Sequence, residues 1–380
     1  MHSYIHIIKT IKSVALTHLD HYLKKKLCIY KQLRSSGLSK QYYYRLEMEK
    51  TVKVCVTGAA GYLASFLVKH LLERGYTVHA TLRSLGDASK VGLLKGLAHA
   101  DTRLKLFEAD IYNPAKFAPA IEGCEFVVHM ATPLQHYDNN PDQFKNTSEA
   151  AVAGVKIIME SCMKSNTVKK LIYTASIVAT SPLKDDGSGY KDFVDETCWT
   201  PLNLSYEIIS EYIHSKTLAE KEVLKSYNGK GIEVVSLACG LVGGDTLQSF
   251  MSGSTTVLTS QALNDGSRYK VLRVLEELLS KVPIVHIQDV TEAHIFSMEN
   301  SAINGRFLCA SAFLKSAEMA SLIQKLHPDI IILPEYIEDT KRETSWGSRK
   351  LEDLGFQYKC DAEKIMDDSI LCAKRLGNIV

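Results

Sequence analysis

Long apolar runs are missing from this 380-residue sequence, and its nine cysteines form neither a CxxC pair nor a Cys/His metal-site spacing. No apolar run approaches the roughly 20 residues that a transmembrane helix needs, so we expect a soluble, cytoplasmic protein without stable membrane insertion. Cysteines scattered through apolar stretches, as Cys55 is, are typical of reduced, buried thiols. This pattern argues against a disulfide framework and against a bound metal.

A large excess of either charge is also absent, since the formal net charge is +2, and this argues against nucleic acid as a partner. The charge is nevertheless uneven, because residues 1–50 carry ten Lys or Arg against three acids. We expect a basic, poorly ordered and dispensable extension over residues 1–50, with the folded part starting near Met48. A short amphipathic helix at an anionic surface and a transit peptide are the alternatives.

From residue 51 onward, short β-rich runs alternate with amphipathic segments of helical length. This rhythm predicts an α/β fold, a doubly wound parallel (Rossmann) sheet over residues 51–240. After residue 240 the rhythm breaks, which predicts a smaller, partly discontinuous C-terminal substrate-binding lobe over 241–380, some of whose segments return to the first domain. The predicted strands are 52–58, 76–83, 105–111, 124–132, 169–176 and 232–240, then 284–287 and 305–309. The predicted helices are 62–75, 114–121, 143–165, 211–227, 247–281, 315–326 and 361–375.

The first strand–helix turn has the composition of a dinucleotide-binding loop. Gly58 permits a tight turn, Gly61 lets the backbone approach a pyrophosphate, and Ala64 allows close helix–sheet packing. A helix N-terminus supplies N–H donors and positive potential to the same anion. The predicted contacts from this loop are Gly58, Ala60, Gly61, Tyr62 and Leu63.

The end of the second strand indicates which dinucleotide binds. Arg83 stands where an NAD enzyme usually has a carboxylate, and Lys90 follows seven residues later. A guanidinium suits the 2′-phosphate of NADPH, whereas a carboxylate would repel it, so we expect NADPH. From their places at strand ends, further cofactor contacts are predicted at Asp110, Ile111, Ala131, Thr132, Cys239 and Val242.

Tyr212 and Lys216 stand four residues apart and share one helix face, downstream of Ser176 at a predicted strand end. An ammonium beside a phenol is expected to lower the pKa of Tyr212, which could then protonate a carbonyl oxygen while Ser176 donates to the same oxygen. These three residues are the predicted catalytic group, and Tyr212 and Lys216 also count as cofactor contacts. His129 is interpreted as a core histidine and Asp289 as a helix N-cap.

Six blocks in order resemble plant extended short-chain dehydrogenases/reductases over residues 51–375, closest to the dihydroflavonol, anthocyanidin and vestitone reductase branch. The blocks are VTGAAGYLASFLVKHLLERGYTVHATLR, FEADI, HMATP, IYTAS, YIHSKTLAEK and VHIQDVTEAHIF. The resemblance implies hydride transfer from NADPH to a carbonyl or related electrophilic carbon, with Tyr212 as proton donor. It implies a bulky aromatic metabolite as substrate, flavonoid-like or anthocyanidin-like, or alkaloid-like since AGYLAS is similar to reductases of alkaloid lactols.

Three positions depart from that family pattern. Ser181 replaces an Asn that meets flavonoid hydroxyls, Cys239 replaces a Pro beside the nicotinamide, and Ala153 replaces an Asn or Gln. The predicted substrate contacts are Pro133, His136, Ser181 and Phe250. The pocket walls are expected at Pro133 to Tyr137, at Leu183 to Tyr206 and at 245–280, with apolar surface from Phe250, Met251 and Leu258.

Two other functions stay open at this point. A nucleotide-sugar epimerase or dehydratase with bound NAD has the same fold and the same three residues, although Arg83 and the apolar lobe argue against it. A non-catalytic NADPH-binding regulator is the second alternative, because a fold does not guarantee a function. As to assembly, we expect a monomer or a weak dimer.

Overall fold

Seven parallel strands form the central sheet of the protein. From one edge to the other they are Gly305–Cys309, Glu233–Cys239, Lys170–Ser176, Phe126–His129, Lys53–Thr57, Thr77–Leu82 and Leu104–Glu108. The computed structural model describes residues 52–111, 114–132, 146–206, 208–226, 231–338 and 344–379. The strands in these ranges are β1 Lys53–Thr57, β2 Thr77–Leu82, β3 Leu104–Glu108, β4 Phe126–His129, β5 Lys170–Ser176, β6 Phe193–Val194, β7 Glu233–Cys239, β8 Leu241–Gly243, β9 Val282–His286, β10 Gly305–Cys309, β11 Ala312–Leu314 and β12 Ser345–Trp346. The predicted doubly wound Rossmann sheet is confirmed.

Helices connect these strands and cover both faces of the sheet. They are α1 Tyr62–Glu73, α2 Ala88–Lys95, α3 Ala100–Arg103, α4 Ala118–Ile121, α5 Thr147–Ser165, α6 Ser210–Ser226, α7 Gly253–Leu258, α8 Gly266–Leu279, α9 Ile287–Glu299, α10 Ser316–Leu326, α11 Lys350–Asp353 and α12 Ala362–Arg375. Short 3₁₀ turns span Pro114–Phe117, Ile177–Ala179 and Pro334–Tyr336.

Strand β5 illustrates why both faces must be covered. Successive residues of a strand point to opposite faces, and six of the seven residues of β5 are buried. On one face Thr174 Oγ1 lies 2.8 Å from His294 Nε2 of α9. On the other face Tyr173 lies in the core cluster that also contains Ile158 of α5 and Ile213 of α6. A run such as KLIYTAS is therefore apolar on both faces, as central parallel strands usually are.

The C-terminal part departs from the sequence prediction in two places. The segment predicted to be helical over 247–281 forms two helices, α7 and α8, with Asp265 accepting the Arg268 N–H at the start of the second. The mixed three-stranded sheet β11–β9–β8 was not predicted, although a strand was expected at 284–287, where β9 lies. Strand β10 extends the central sheet beside β7, although the predicted boundary at residue 240 stays a prediction.

Asp289 is not the N-cap of α9, as the sequence had indicated. His286 occupies that position, and its Nδ1 accepts the Gln288 N–H at 3.2 Å. Asp289 lies one turn into the helix, and its carboxylate accepts the backbone N–H groups of Lys359 and Cys360, both at 3.0 Å. Through these two hydrogen bonds, Asp289 holds the segment that precedes α12 against the first turn of α9.

The thiol prediction holds for the eight described cysteines, which are all free and buried. Cys28 and the rest of residues 1–50 lie outside the described ranges. Within those ranges, no helix combines the length and the apolarity that crossing a membrane requires.

Candidate active site

The turn after β1 is built around Gly58. Its φ is +64°, a left-handed conformation that non-glycine residues adopt at a cost. A Cβ there would lie 3.1 Å from both Cα and Cβ of Ala131, which follows β4. Both the conformation and the approach of β1 to β4 thus require glycine at this position.

The N-terminus of α1 is suited to an anion. Gly61 is the N-cap, the first turn contains no acid, and no side chain among the described residues caps this end. The unused N–H groups and the positive end of the helix dipole point to where a pyrophosphate would lie. The turn therefore fits a dinucleotide, with Gly58, Ala60 and Gly61 lining it and Tyr62 and Leu63 starting the helix.

A Gly58→Ala substitution should weaken NAD(P)H binding by about tenfold or more, because a Cβ here strains the backbone and pushes β4 away. The same strain should lower the free energy of unfolding by about 1–3 kcal/mol. Cofactor fluorescence titration and thermal unfolding measure the two effects. Gly92→Ala in α2 is the matched control, since a Cβ at Gly92 meets open space. Equal cofactor affinity in the two variants would contradict the assigned role.

Thr57 joins the carboxyl ends of β1 and β4 just below this turn. Its Oγ1 accepts the N–H groups of Met130 and Ala131 at 3.1 Å and lies 2.8 Å from His129 Nδ1. Burial, and then the nearby Lys216 ammonium, lower the pKa of His129 to about 3. His129 is thus a neutral, hydrogen-bonded core residue, as the sequence predicted.

The predicted adenosine-side residues follow β2 and β3. Arg83 is exposed directly after β2. The Lys90 ammonium pairs with Asp87 at 2.9 Å, and the Asp87 carboxylate also accepts the Lys90 N–H at the start of α2. Asp110 and Ile111 come directly after β3, and Ile111 lines a small cavity together with predicted contacts from the end of β4. The cofactor contacts assigned to these residues stay predictions.

Ser176, Tyr212 and Lys216 come together at the carboxyl end of β5. The Tyr212 phenol is hydrogen-bonded to the Ser176 side chain. One turn further along α6, Lys216 Nζ donates to Thr132 Oγ1 at 3.0 Å and to the Thr174 carbonyl oxygen at 2.9 Å. The three predicted catalytic side chains therefore converge next to the ends of β1 and β4, where ligands bind in doubly wound sheets.

The electrostatics of this group differ from the expectation. Burial raises the pKa of Tyr212, a change that the Ser176 hydrogen bond only partly offsets, so the predicted lowering by Lys216 is wrong in this structure. Burial also lowers the pKa of Lys216 to about 8. The site therefore holds a neutral phenol and an amine whose proton is weakly held.

Cys239 lies at the end of the strand next to β5, whereas Val242 lies in the small second sheet. Cys239 ends β7 in register with Ser176 of β5, and Val242 is buried in β8, which pairs with β9. The cofactor contacts assigned to both residues stay predictions. Ala153, where the family pattern has an amide, lies on α5.

The predicted substrate residues differ in exposure, and some of them lie outside the described residues. Pro133 and His136, with the wall Pro133 to Tyr137, lie outside the described residues. Phe250 is 59% exposed and available to a ligand. Ser181 is fully buried and its Oγ donates to the Leu278 carbonyl oxygen at 2.5 Å, so the structure turns it away from any ligand. Leu258 is fully buried in the core, and its assignment to the pocket wall is wrong.

One contact at the phosphate loop was missed from the sequence. Gln248 Nε2 donates to the Ala60 carbonyl oxygen at 2.9 Å, and Tyr62 Oη approaches the Gly244 carbonyl oxygen at 3.5 Å. These contacts tie the segment after β8 to the loop that follows β1. No local motif marks Gln248, because its partner lies 188 residues earlier in the chain.

Comparison with known proteins shows the family of this chain. A model of the NAD dependent epimerase/dehydratase family matches residues 54–310. Dihydroflavonol 4-reductase from Gerbera hybrida is 33% identical over 337 residues, which are 87% of this chain and 88% of that protein. Vestitone reductase from Medicago sativa is 34% identical over 333 residues, 86% of this chain and 98% of that protein.

Solved structures show the same fold. The crystal structure of alfalfa vestitone reductase covers 86% of this chain and 99% of its own, with a TM-score of 0.71 and 32% identity. Yeast methylglyoxal/isovaleraldehyde reductase Gre2 complexed with NADPH covers 86% of this chain and 100% of its own, with a TM-score of 0.68 at 19% identity.

Fold, site and relatives together define an oxidoreductase of the extended short-chain dehydrogenase/reductase class. The chain belongs to the NAD dependent epimerase/dehydratase family, the affiliation that the six sequence blocks predicted.

Proposed function

We propose that this oxidoreductase uses NADPH to reduce a carbonyl, or a related electrophilic carbon, of a bulky aromatic plant metabolite. The observation that carries this proposal is the convergence of Ser176, Tyr212 and Lys216 beside the turn at Gly58. A flavonoid-like or anthocyanidin-like substrate is favoured by the relatives named as flavonoid reductases, and an alkaloid-like one is the further candidate.

The protein side chains have separate tasks in this reaction. NADPH, when bound, supplies the hydride. Tyr212 donates its proton to the substrate oxygen, which Ser176 holds by a second hydrogen bond. Burial favours a Tyr212 that keeps its proton until a strong base appears, and an alkoxide formed during reduction is such a base. Lys216 stabilises the resulting phenolate from one helical turn away.

The choice of NADPH over NADH rests on Arg83. An exposed guanidinium directly after β2 suits a 2′-phosphate, and charge-assisted bonds of this kind are strong. Lys90 can add to this site only by sharing its ammonium with Asp87. The NADPH carried by yeast Gre2 is consistent with the proposal.

The polar Asn pattern of dihydroflavonol reductases is not reproduced here. Ser181 replaces that Asn and is buried against α8, so this chain lacks the amide that would meet flavonoid hydroxyls. Phe250 offers an exposed aromatic face instead. We therefore expect a substrate held more by ring packing than by hydroxyl recognition.

The test is NADPH oxidation by the purified full-length protein against a substrate panel. The panel contains dihydroflavonols, isoflavanones, anthocyanidins and aromatic aldehydes. Alkaloid lactols are assayed separately with NADP⁺, because their oxidation transfers a hydride to the oxidised cofactor. Turnover of at least one ring-bearing substrate is expected, and the Tyr212→Phe variant should lack it. Intact NADPH binding without turnover of any panel member would favour a regulator, and NAD retained through purification would favour an epimerase.

A further inference from the structure

Within the described part of the chain, the Lys216 ammonium is a buried charge with two hydrogen-bond acceptors. Lys216 is only 5% exposed, and its Nζ donates to two neutral oxygens, Thr132 Oγ1 and the Thr174 carbonyl. An ammonium has three N–H donors, and burying a charge without compensation is costly. Some further group must stabilise it.

The nearest carboxylate on the same helix is already committed. Glu220 lies one turn beyond Lys216, but Arg306 Nε and Nη2 donate to its two carboxylate oxygens at 3.0 and 3.2 Å. Ser236 Oγ donates to Glu220 as well, at 2.7 Å. Glu220 therefore makes its hydrogen bonds to Arg306 and Ser236, and it acts on Lys216 only through its charge.

Tyr173 supplies the missing partner. Lys216 Nζ lies 5.3 Å from the centroid of the Tyr173 ring, within the range of a cation–π contact. Tyr173 is 1% exposed, so the contact is desolvated and correspondingly stronger. The His129 ring packs beside it, with its centroid 5.7 Å from that of Tyr173.

The Tyr173 side chain also reaches the partner of Lys216. Tyr173 lines the same small cavity as Thr132 and Ile111. Tyr173 therefore contacts the Lys216 ammonium through its ring and lies beside Thr132, which accepts a hydrogen bond from that ammonium.

We propose that Tyr173 is a positioning residue, whose ring face holds the Lys216 ammonium against Thr132 and Thr174 within reach of Tyr212. This inference rests on the proposed function in one respect, namely that Lys216 serves catalysis. Among the described residues, Glu220 on α6 and Cys239 on β7 act to raise the pKa of Lys216, and the Lys216 charge acts to lower that of His129 on β4. Tyr212 precedes Lys216 by one turn of α6, and Tyr173 on β5 contacts the ammonium through its ring.

The test compares Tyr173→Phe, which keeps the ring, with Tyr173→Leu, which removes it. Burial lowers the pKa of Lys216 to about 8, and ring loss should disfavour the ammonium and move the titration midpoint further down by about half to one pH unit. NMR of the full-length protein with ¹³C-labelled lysine measures the midpoint, with Lys216→Arg assigning the signal. Tyr173→Leu should also lose about tenfold in kcat with little change in KM, and its basic activity limb should shift with the midpoint.

Controls separate this role from simple packing. Phe117→Leu removes a buried ring from the same core cluster and should leave the Lys216 midpoint in place. Tyr173→Met fills the volume without a ring face and should behave as Tyr173→Leu does, which covers the case in which the leucine variant fails to fold. An unmoved midpoint in both ring-less variants would overturn the inference. A wild-type protein without turnover would instead refute the proposed function, because the titration needs no substrate.

Discussion

Replacing Tyr212 with phenylalanine is expected to lower kcat by about 10²-fold or more, the scale of a lost general acid. The substitution removes one hydroxyl and keeps the ring, which packs against the core under α6. The Ser176 side chain loses its partner but gains no clash. Cofactor affinity should therefore stay within about threefold, and the loss should fall on kcat and kcat/KM alike.

The measurements are steady-state NADPH oxidation with the best panel substrate and fluorescence titration of NADPH. Tyr76→Phe is the matched control, because Tyr76 is also buried and its hydroxyl donates to Glu299 at 2.7 Å, away from the site. That variant can lose stability but should keep its turnover. Undiminished kcat in Tyr212→Phe would remove Tyr212 as the proton donor, whatever the cofactor affinity.

The pH dependence of the reduction rate in the wild-type protein should follow from the pKa values of Tyr212 and Lys216. Burial raises the pKa of Tyr212, so the phenol keeps its proton across the neutral range. Lys216, with its pKa lowered to about 8, loses its charge first as the pH rises. Reduction should therefore decline above about pH 8 because the ammonium that stabilises the phenolate disappears.

The features that could be predicted from the sequence depend on short motifs or on the regular alternation of strands and helices. The turn at Gly58 and the spacing of Tyr212 and Lys216 are set within a few residues, and the sheet order follows from the alternation of elements. The direction of the Tyr212 pKa shift depends on how much protein surrounds the phenol, which no spacing reveals. That prediction was therefore wrong although the residue itself was found.

The misassigned residues have a common physical cause. Ser181 was assigned from the family pattern and Leu258 from its apolar character, but packing turns the first toward Leu278 and the second into the core. Gln248 and Tyr173 were missed because long-range packing creates their contacts. Their partners, Ala60 and Lys216, are distant in sequence and meet them only after the sheet has formed.

Replacing Arg83 with aspartate should change the ratio of kcat/KM for NADPH to that for NADH by about 10²-fold or more in favour of NADH. A charge-assisted hydrogen bond is worth about 1.5–3 kcal/mol, so its loss alone accounts for a factor of roughly 10 to 10². The new carboxylate adds repulsion of the 2′-phosphate, and it can accept hydrogen bonds from the ribose hydroxyls of NADH. Asp87 lies in the same region and already pairs with Lys90.

Two ligands and two further variants test whether Arg83 recognises the 2′-phosphate of NADPH. Adenosine 2′,5′-bisphosphate should bind the wild type more tightly than AMP, and Arg83→Asp should abolish that difference. Arg83→Ala removes the attraction without adding repulsion and should fall between the two. Arg349→Asp, an equal change of charge at the exposed start of α11, should leave the preference unchanged. If Arg83→Asp kept the wild-type preference, the 2′-phosphate would have to be held by residues other than Arg83, and the guanidinium would be only a solvated charge at the end of β2.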